Sequence, residues 1–371
     1  MRDHKAMDRS QYPALHSNPN LIHMDASAAF PVHARVVAAV TESMTTTVGT
    51  PSKANYDWAQ QATAMTHQVR SHVADFVGVE ARDVLLSYSA SDGLASLLDA
   101  INTDSFDRVM YSPADHSSVI EKITTRFQKT LGIIELEYSQ DGLYVMPDAI
   151  KDSRKLLILV SHMHHMYGRL QNIATLRQLF PFAVIIADVS QSIGRVPLSV
   201  NRLGADAVYF SGHKLGGVIG VGVTCVSAGL RDVLRKPISE PHTTPLPALV
   251  ALHEAISVIE ETGLASIEVR LNRMTANFID LANRRVDGIV FAAGPAHSFH
   301  TCYGNGVVSF KIEGYSSIDV AMIIGDRGIN VRAADHCVDD SAVDRDVVRI
   351  SLHAYNYDDE VYRLVDELAT L

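Results

Sequence analysis

An aspartate, a lysine and several hydroxyl and imidazole side chains stand at the ends of apolar runs in the first two-thirds of the chain. In ADVSQSIGRVPLSVNRLGADAVYFSGHKLGG (187–217), Asp188 closes one run, and Ser211, His213 and Lys214 close the next. Upstream, SYSASDG (87–93), SPADHSS (112–118) and SHMHHMYG (161–168) follow three further runs. Ligands of a parallel sheet gather at the carboxyl ends of its strands, so five loops would converge on one edge. The small hydroxyl residues of SASDGLASLLDAI (89–101) suit a strand-to-helix turn whose free N–H groups and dipole hold a phosphate, and Ser211 would add a hydroxyl. An aspartate screened from water keeps a pyridine nitrogen protonated, and a lysine at the neighbouring strand end condenses with an aldehyde. Phosphate cradle, aspartate and lysine together are what pyridoxal 5'-phosphate (PLP) requires.

The runs that must carry these residues are short and β-branched: 83–89, 108–112, 132–138, 156–162, 183–190, 207–213 and 222–227. Helical patterns separate most of them, the clearest over 54–77, where Trp58, Ala62, Met65, Val69, Val73 and Phe76 recur at three- and four-residue spacing before Gly78. The expected fold is α/β, a mainly parallel seven-stranded sheet covered on both faces. The last run follows GHKLGGVIG too closely for a helical crossover and should return antiparallel. After about residue 250 the rhythm changes to helices at 247–263 and 266–285, strands at 306–314, 328–333 and 347–355, and a helix at 358–368. This predicts a large PLP-binding domain over 20–250 and a small α+β domain from 1–19 and 251–371.

Composition narrows the classes. The 371 residues are 47% hydrophobic and 20% charged, as in a soluble globular protein, and a net charge of −10 argues against nucleic-acid binding. No run is long enough to span a membrane, and the N-terminus lacks the apolar stretch of a signal peptide. Cys225, Cys302 and Cys337 have no metal or disulfide spacing, which fits a reducing cytoplasm. The histidines of SHMHHMYG lack a second ligand pair for zinc, and the glycines of GGVIGVG precede a strand where a dinucleotide fingerprint needs a helix.

Over nearly its whole length the chain resembles the class V, cysteine desulfurase-like branch of PLP enzymes, whose fold is the type I transferase fold. The similarity is carried by IHMDASAAFPVHARVVAAV, VGTPSKANYDWAQQA, LSYSASDGLASLL, GINVRAADHC and RISLHAYNYDDEVYRLVDEL, and most specifically by ADVSQSIGRVPL and SGHKLGG. The resemblance implies that Lys214 joins the cofactor as a Schiff base, His116 stacks on its ring and relays protons as a catalytic residue, Asp188 pairs with the ring nitrogen and Gln191 with the phenolic oxygen. Ala90, Ser91, Ser211 and His213 would hold the phosphate, and Thr244 would reach the phosphate of a neighbouring subunit, implying a homodimer. Arg349 would bind the α-carboxylate of an amino-acid substrate as a bidentate fork. Cys337 falls where the family carries its sulfur-accepting cysteine, with a sulfur-acceptor protein as further partner.

The chain also departs from that pattern. His164, His165 and Met166 stand where desulfurases have Asn-Asn-Glu, so His165 takes the place of the asparagine at the phenolic oxygen and should titrate near the usual histidine value of about 6.5. Ser89 and Asp92 replace the glycine and glutamate of the phosphate turn, and eleven residues (338–348) separate Cys337 from Arg349. A cationic His336 would favour the Cys337 thiolate, and Asp335 would oppose it. Three functions stay open: L-cysteine desulfurase, leaving alanine and a persulfide on Cys337; a PLP C–S lyase, aminotransferase or epimerase of secondary metabolism without a catalytic cysteine; and a PLP-binding scaffold without turnover.

Overall fold

The computed structural model describes residues 7–47, 49, 51, 55–146, 155–241, 243, 245–292, 304–333, 336 and 346–371. Seven strands form the main sheet in the order Val84–Ser87, Gly222–Val226, Ala207–Ser211, Val184–Asp188, Leu156–Ser161, Arg108–Tyr111, Gly132–Glu135. Gly222–Val226 runs antiparallel to both neighbours and the other pairings are parallel, as the short connection after Lys214 requires. Leu156–Ser161 is buried at every position, because helices cover both faces and leave no side for water.

Two details depart from the sequence expectation. The 132–138 run divides at Leu136: Gly132–Glu135 is the sheet's edge strand, and Glu137–Tyr138 turns away to pair with Tyr144–Val145. In helix Asp57–Val77 the buried stripe runs through Ala59, Ala62, Thr66, Val69, Val73 and Phe76, so Trp58 falls one position off it and is 48% exposed. Gly78, at φ 73°, ends this helix in the left-handed conformation that a Cβ disfavours.

Helix Leu246–Thr262 packs on Asp57–Val77 and on helix Ala34–Thr46, and residue 250 lies inside it. A four-stranded sheet follows in the order Ile289–Phe291, Val307–Ile312, Val348–Ser351, Arg332–Ala333; Ser317–Asp326 packs on it, Leu264–Arg285 reaches it through Phe278 against Phe291 and Phe310, and Asp358–Leu368 packs on Leu264–Arg285. The N-terminal segment docks on these later elements: Met7 N–H donates to Ala354 O, and Arg9 pairs with Glu360. Ile22–His23 adds a parallel bridge to Ile329–Asn330, which carries Asp25 to the edge of the four-stranded sheet beside Ser351. No described helix is long and apolar enough to cross a membrane.

Candidate active site

Strand register decides what meets at the edge of the main sheet. Ser161 lies opposite Asp188, Asp188 opposite Tyr209, and Ser211 opposite Gly222, which itself faces Ser87. A cavity of about 350 Å³ opens over these carboxyl ends. Asp188, Ser211, His213 and Lys214 line it from the edge, and Ala90, Ser91 and Gln191 from the turns that follow the strands. His116 and His165 come from two further loops and Arg349 from the four-stranded sheet. Thr244 and Cys337 lie outside the described residues.

One end of the cavity is built by the start of a helix. Ser89 caps helix Ala90–Ala100, its hydroxyl accepting from Asp92 N–H at 3.1 Å, while the Asp92 carboxylate reaches back to Tyr88 N–H at 3.0 Å. Ala90 N–H donates to Ser211 Oγ at 2.8 Å, tying the helix start to the neighbouring strand end. Gly222 allows this approach, since a Cβ there would lie 2.2 Å from the Ser89 carbonyl carbon. Burial and the adjacent Lys214 push His213 down to about 4, so at neutral pH it meets an anion as a hydrogen-bond donor without a charge.

Lys214 sits in the tight turn Gly212–Leu215, which closes through Gly216 at φ 92°. Its Nζ donates to Ser27 O at 2.5 Å, and Gln191 Nε2 donates to the same carbonyl at 3.2 Å. Burial, followed by the Arg349 charge, lowers Lys214 to about 8 against the opposing pull of Asp25 and Asp188. Asp188 Oδ1 accepts from Ser190 N–H at 2.8 Å, so the carboxylate is oriented by its own turn as well as facing the cavity. His116 Nδ1 accepts from Ser118 N–H at 3.3 Å and lies 2.9 Å from Ser118 Oγ.

The opposite wall is basic. Arg349 donates to Asp25 Oδ1 at 3.0 Å and to His165 O at 3.2 Å, and Arg332 reaches Asp25 Oδ2 at 3.3 Å. His165 donates from Nε2 to His336 O at 2.8 Å, and His336 donates from Nε2 to Val347 O at 2.9 Å. The expected titration of His165 near 6.5 does not hold. Its ring is fully buried, and desolvation followed by the neighbouring His164, His116 and Arg349 drives it well below the histidine range. Burial also lowers His336, so the cationic neighbour expected for Cys337 is neutral at physiological pH.

Ser27, Ser161, Ser190 and Arg332 line the cavity without having been singled out from the sequence, and His336, read there only as the neighbour of Cys337, lines it as well. Arg332 and His336 lie in the GINVRAADHC motif, two residues after a strand and beside the cysteine, which was a usable signal; Ser27 lies in DASAAF and gave none beyond its motif. The chemistry of the donors fits PLP: a helix start and hydroxyls for a phosphate, a carboxylate for a ring nitrogen and a lysine of lowered pKa for an aldehyde. Ser190 Oγ is buried and has no hydrogen-bond partner among the described residues, leaving it available to a bound group.

The geometry agrees with comparisons to known proteins. The aminotransferase class-V family profile matches residues 22–241 and 233–364. The chain is 24% identical over 296 residues to cysteine desulfurase IscS of Klebsiella pneumoniae, covering 74% of this chain and 73% of that protein. It is 25% identical over 348 residues to a probable cysteine desulfurase of Pyrococcus abyssi, covering 84% of each. The apo structure of a cysteine desulfurase from Thermococcus onnurineus superposes with a TM-score of 0.87 at 23% identity, over 100% of this chain and 99% of that one. A NifS-like protein superposes at 0.82 with 18% identity, over 94% and 98%. With matched segments that span most of its length and a pocket whose donors suit the cofactor, this chain belongs to the class-V aminotransferase family and is a PLP-dependent enzyme.

Proposed function

We propose that the protein is an L-cysteine desulfurase that leaves alanine and a persulfide on Cys337. The observation that carries this reading is the place of His336. His336 lines the cavity together with Arg349, and Cys337 is the next residue of the sequence. The names of the relatives at 24–25% identity support the same reaction.

PLP, when bound, supplies an electron sink for the carbanion formed at the substrate Cα. Ala90, Ser91, Ser211 and His213 would hold its phosphate, Asp188 its ring nitrogen, Gln191 and His165 its phenolic oxygen, and His116 would stack on its ring. Arg349 takes the substrate carboxylate, with Arg332 adding positive potential to the same wall. Lys214, neutral once the substrate is engaged, removes the Cα proton and returns a proton to the three-carbon product. The Cys337 thiolate attacks the substrate sulfur, the Cβ–S bond breaks, and the sulfur remains on the enzyme as the persulfide. A homodimer completes the phosphate site through Thr244, and a reducing cytoplasm keeps Cys337 a thiol.

A second reading, a lyase, aminotransferase or epimerase of the same family, is favoured by one observation: a buried neutral imidazole at His165 where the desulfurases carry an amide. L-Cysteine incubated with the purified protein separates the two. Alanine with stoichiometric persulfide on the Cys337 peptide supports the desulfurase; pyruvate, a keto acid or an inverted amino acid without persulfide supports the second reading.

Two further outcomes follow from the site. Arg349→Gln removes the positive charge that helps depress Lys214, so the lysine of the variant titrates higher. Reconstitution of apoprotein with PLP, which needs the neutral amine, should therefore quicken through about pH 8 in the wild type and at higher pH in the variant. Stopped-flow absorbance checks this, and superimposable pH–rate curves would contradict the assigned coupling. Thr244→Ala should weaken PLP retention by about 1.5–3 kcal/mol, the range for one hydrogen bond to a charged group. Equilibrium dialysis measures it, and a fully active monomer in sedimentation would remove the subunit-bridging role.

A further inference from the structure

Directly beneath the cavity lies a buried acid that the proposed chemistry does not use. Asp115 is 0% exposed and follows two residues after Pro113 in the loop that delivers His116. Its Oδ1 accepts from Tyr138 OH at 2.7 Å, and both oxygens accept from Tyr144 OH, at 3.0 and 2.9 Å. The Ser161 side chain also hydrogen-bonds to it. Tyr144 OH in turn accepts from Ser161 N–H at 2.8 Å, at the strand position that registers with Asp188. Both tyrosines come from the hairpin that leaves the sheet at Leu136, and Gln171 pins that hairpin by accepting from Tyr144 N–H at 2.9 Å and donating to Gly142 O at 2.8 Å.

We propose that Asp115 is a positioning residue of the cofactor pocket, a buried carboxyl that fixes the floor at Ser161 through Tyr144 and whose proton is exchanged in step with the charge on Asp188. The network tolerates both states of the acid. Ionised, the carboxylate has three donors around it; protonated, it donates to a tyrosine hydroxyl, which accepts as readily as it donates. The titratable groups facing it are Tyr138 and Tyr144 from the hairpin, Asp188 and Tyr209 from the sheet, and His116 and His164 from the adjoining loops. His164 stays neutral, lowered to about 4 by burial. Tyr138, Tyr144 and Tyr209 are all raised, burial being the largest cause. Asp188 is therefore the charge that biases Asp115. Desolvation raises Asp115 to about 7, the hydrogen bonds oppose the rise, and Asp188 adds to it. A cation held by Asp188 cancels the repulsion and favours ionised Asp115, so loading the site should expel a proton from the network.

This inference rests on the PLP reading only for its second half, and the test keeps the two apart. Infrared spectra of the apoprotein, recorded across pH 5–9, should show a carboxylic-acid carbonyl band that disappears near neutrality and is absent in Asp115→Asn. Asp188→Asn should move that loss to lower pH, and Tyr138→Phe, which removes one donor to the ionised form, should move it to higher pH. Adding PLP should also move it lower in the wild type, with cofactor attachment verified separately by borohydride labelling of Lys214. A band that persists in Asp115→Asn, or one that ignores both Asp188→Asn and PLP, overturns the proposal even when Lys214 is labelled. Should Asp115→Asn fail to fold, an unmoved band in the folded Tyr138→Phe protein overturns it equally.

Discussion

Lys214→Ala should bind PLP without being reducible to it, and its turnover of amino acids should fall by about 10²–10⁴-fold, the usual contribution of a positioned acid–base group. The structure supplies the reason for so large a loss. Lys214 is the cavity's one amine among the described residues, and its neighbours hold it ready. Lowered to about 8 by burial and Arg349, it is neutral in roughly a tenth of molecules at pH 7, against less than about a thousandth for an ordinary lysine. That fraction can condense with an aldehyde, and the same amine, released by substrate, can take a proton from Cα. His213, neutral and at the helix-start end of the cavity, and Arg349, a guanidinium that does not deprotonate in proteins, cannot take its place. Borohydride reduction of the wild type should fix the cofactor on a peptide containing Lys214, read by mass spectrometry. A label on another lysine, or a variant that retains activity within tenfold, would reject the assignment.

How much of this site the sequence discloses depends on how each residue reaches it. Asp188, Ser211, His213 and Lys214 end apolar runs, and the run of a parallel strand fixes where its last residue goes, so a linear pattern suffices. The seven main-sheet strands and the antiparallel return were legible for the same reason. The basic wall was half legible. Arg349 lies within strand Val348–Ser351 and belongs to a specific motif, but its partner Asp25 is 324 positions away in the chain, and the parallel bridges of Ile22–His23 to Ile329–Asn330 and of Asp25 to Ser351 bring the two together. Asp115 and its tyrosines were hidden because GIIELEY has the alternation of one strand; the break at Leu136 depends on how the hairpin packs against Gln171, which no local propensity encodes. Charge states were the least legible. His165 and His336 look like ordinary histidines in sequence, and burial, helped by neighbouring positive groups, removes their charge from the physiological range.

The neutral His336 changes what Cys337 must do, and the sharpest functional outcome depends on it. A sulfur-accepting thiol has to be deprotonated and within reach of the substrate sulfur. Without a cationic imidazole at His336 to favour the thiolate, alanine formation should keep rising with pH toward the ordinary thiol value of about 8.5. Replacing the thiol by a hydroxyl removes the nucleophile while leaving the carboxylate anchor and the lysine untouched. Cys337→Ser should therefore still bind L-cysteine, seen as the same shift in cofactor absorbance at similar concentration, whereas alanine release should drop by orders of magnitude and no persulfide should form. Asp115→Asn makes a useful contrast, since it should alter the pH response of the site and leave persulfide on Cys337. Single-turnover assays with mass spectrometry of the Cys337 peptide read all of these quantities. If the serine variant turns over its best substrate as fast as the wild type, the persulfide route is not used, and the buried imidazole of His165 points instead to a lyase or aminotransferase whose chemistry ends on the cofactor side of the pocket.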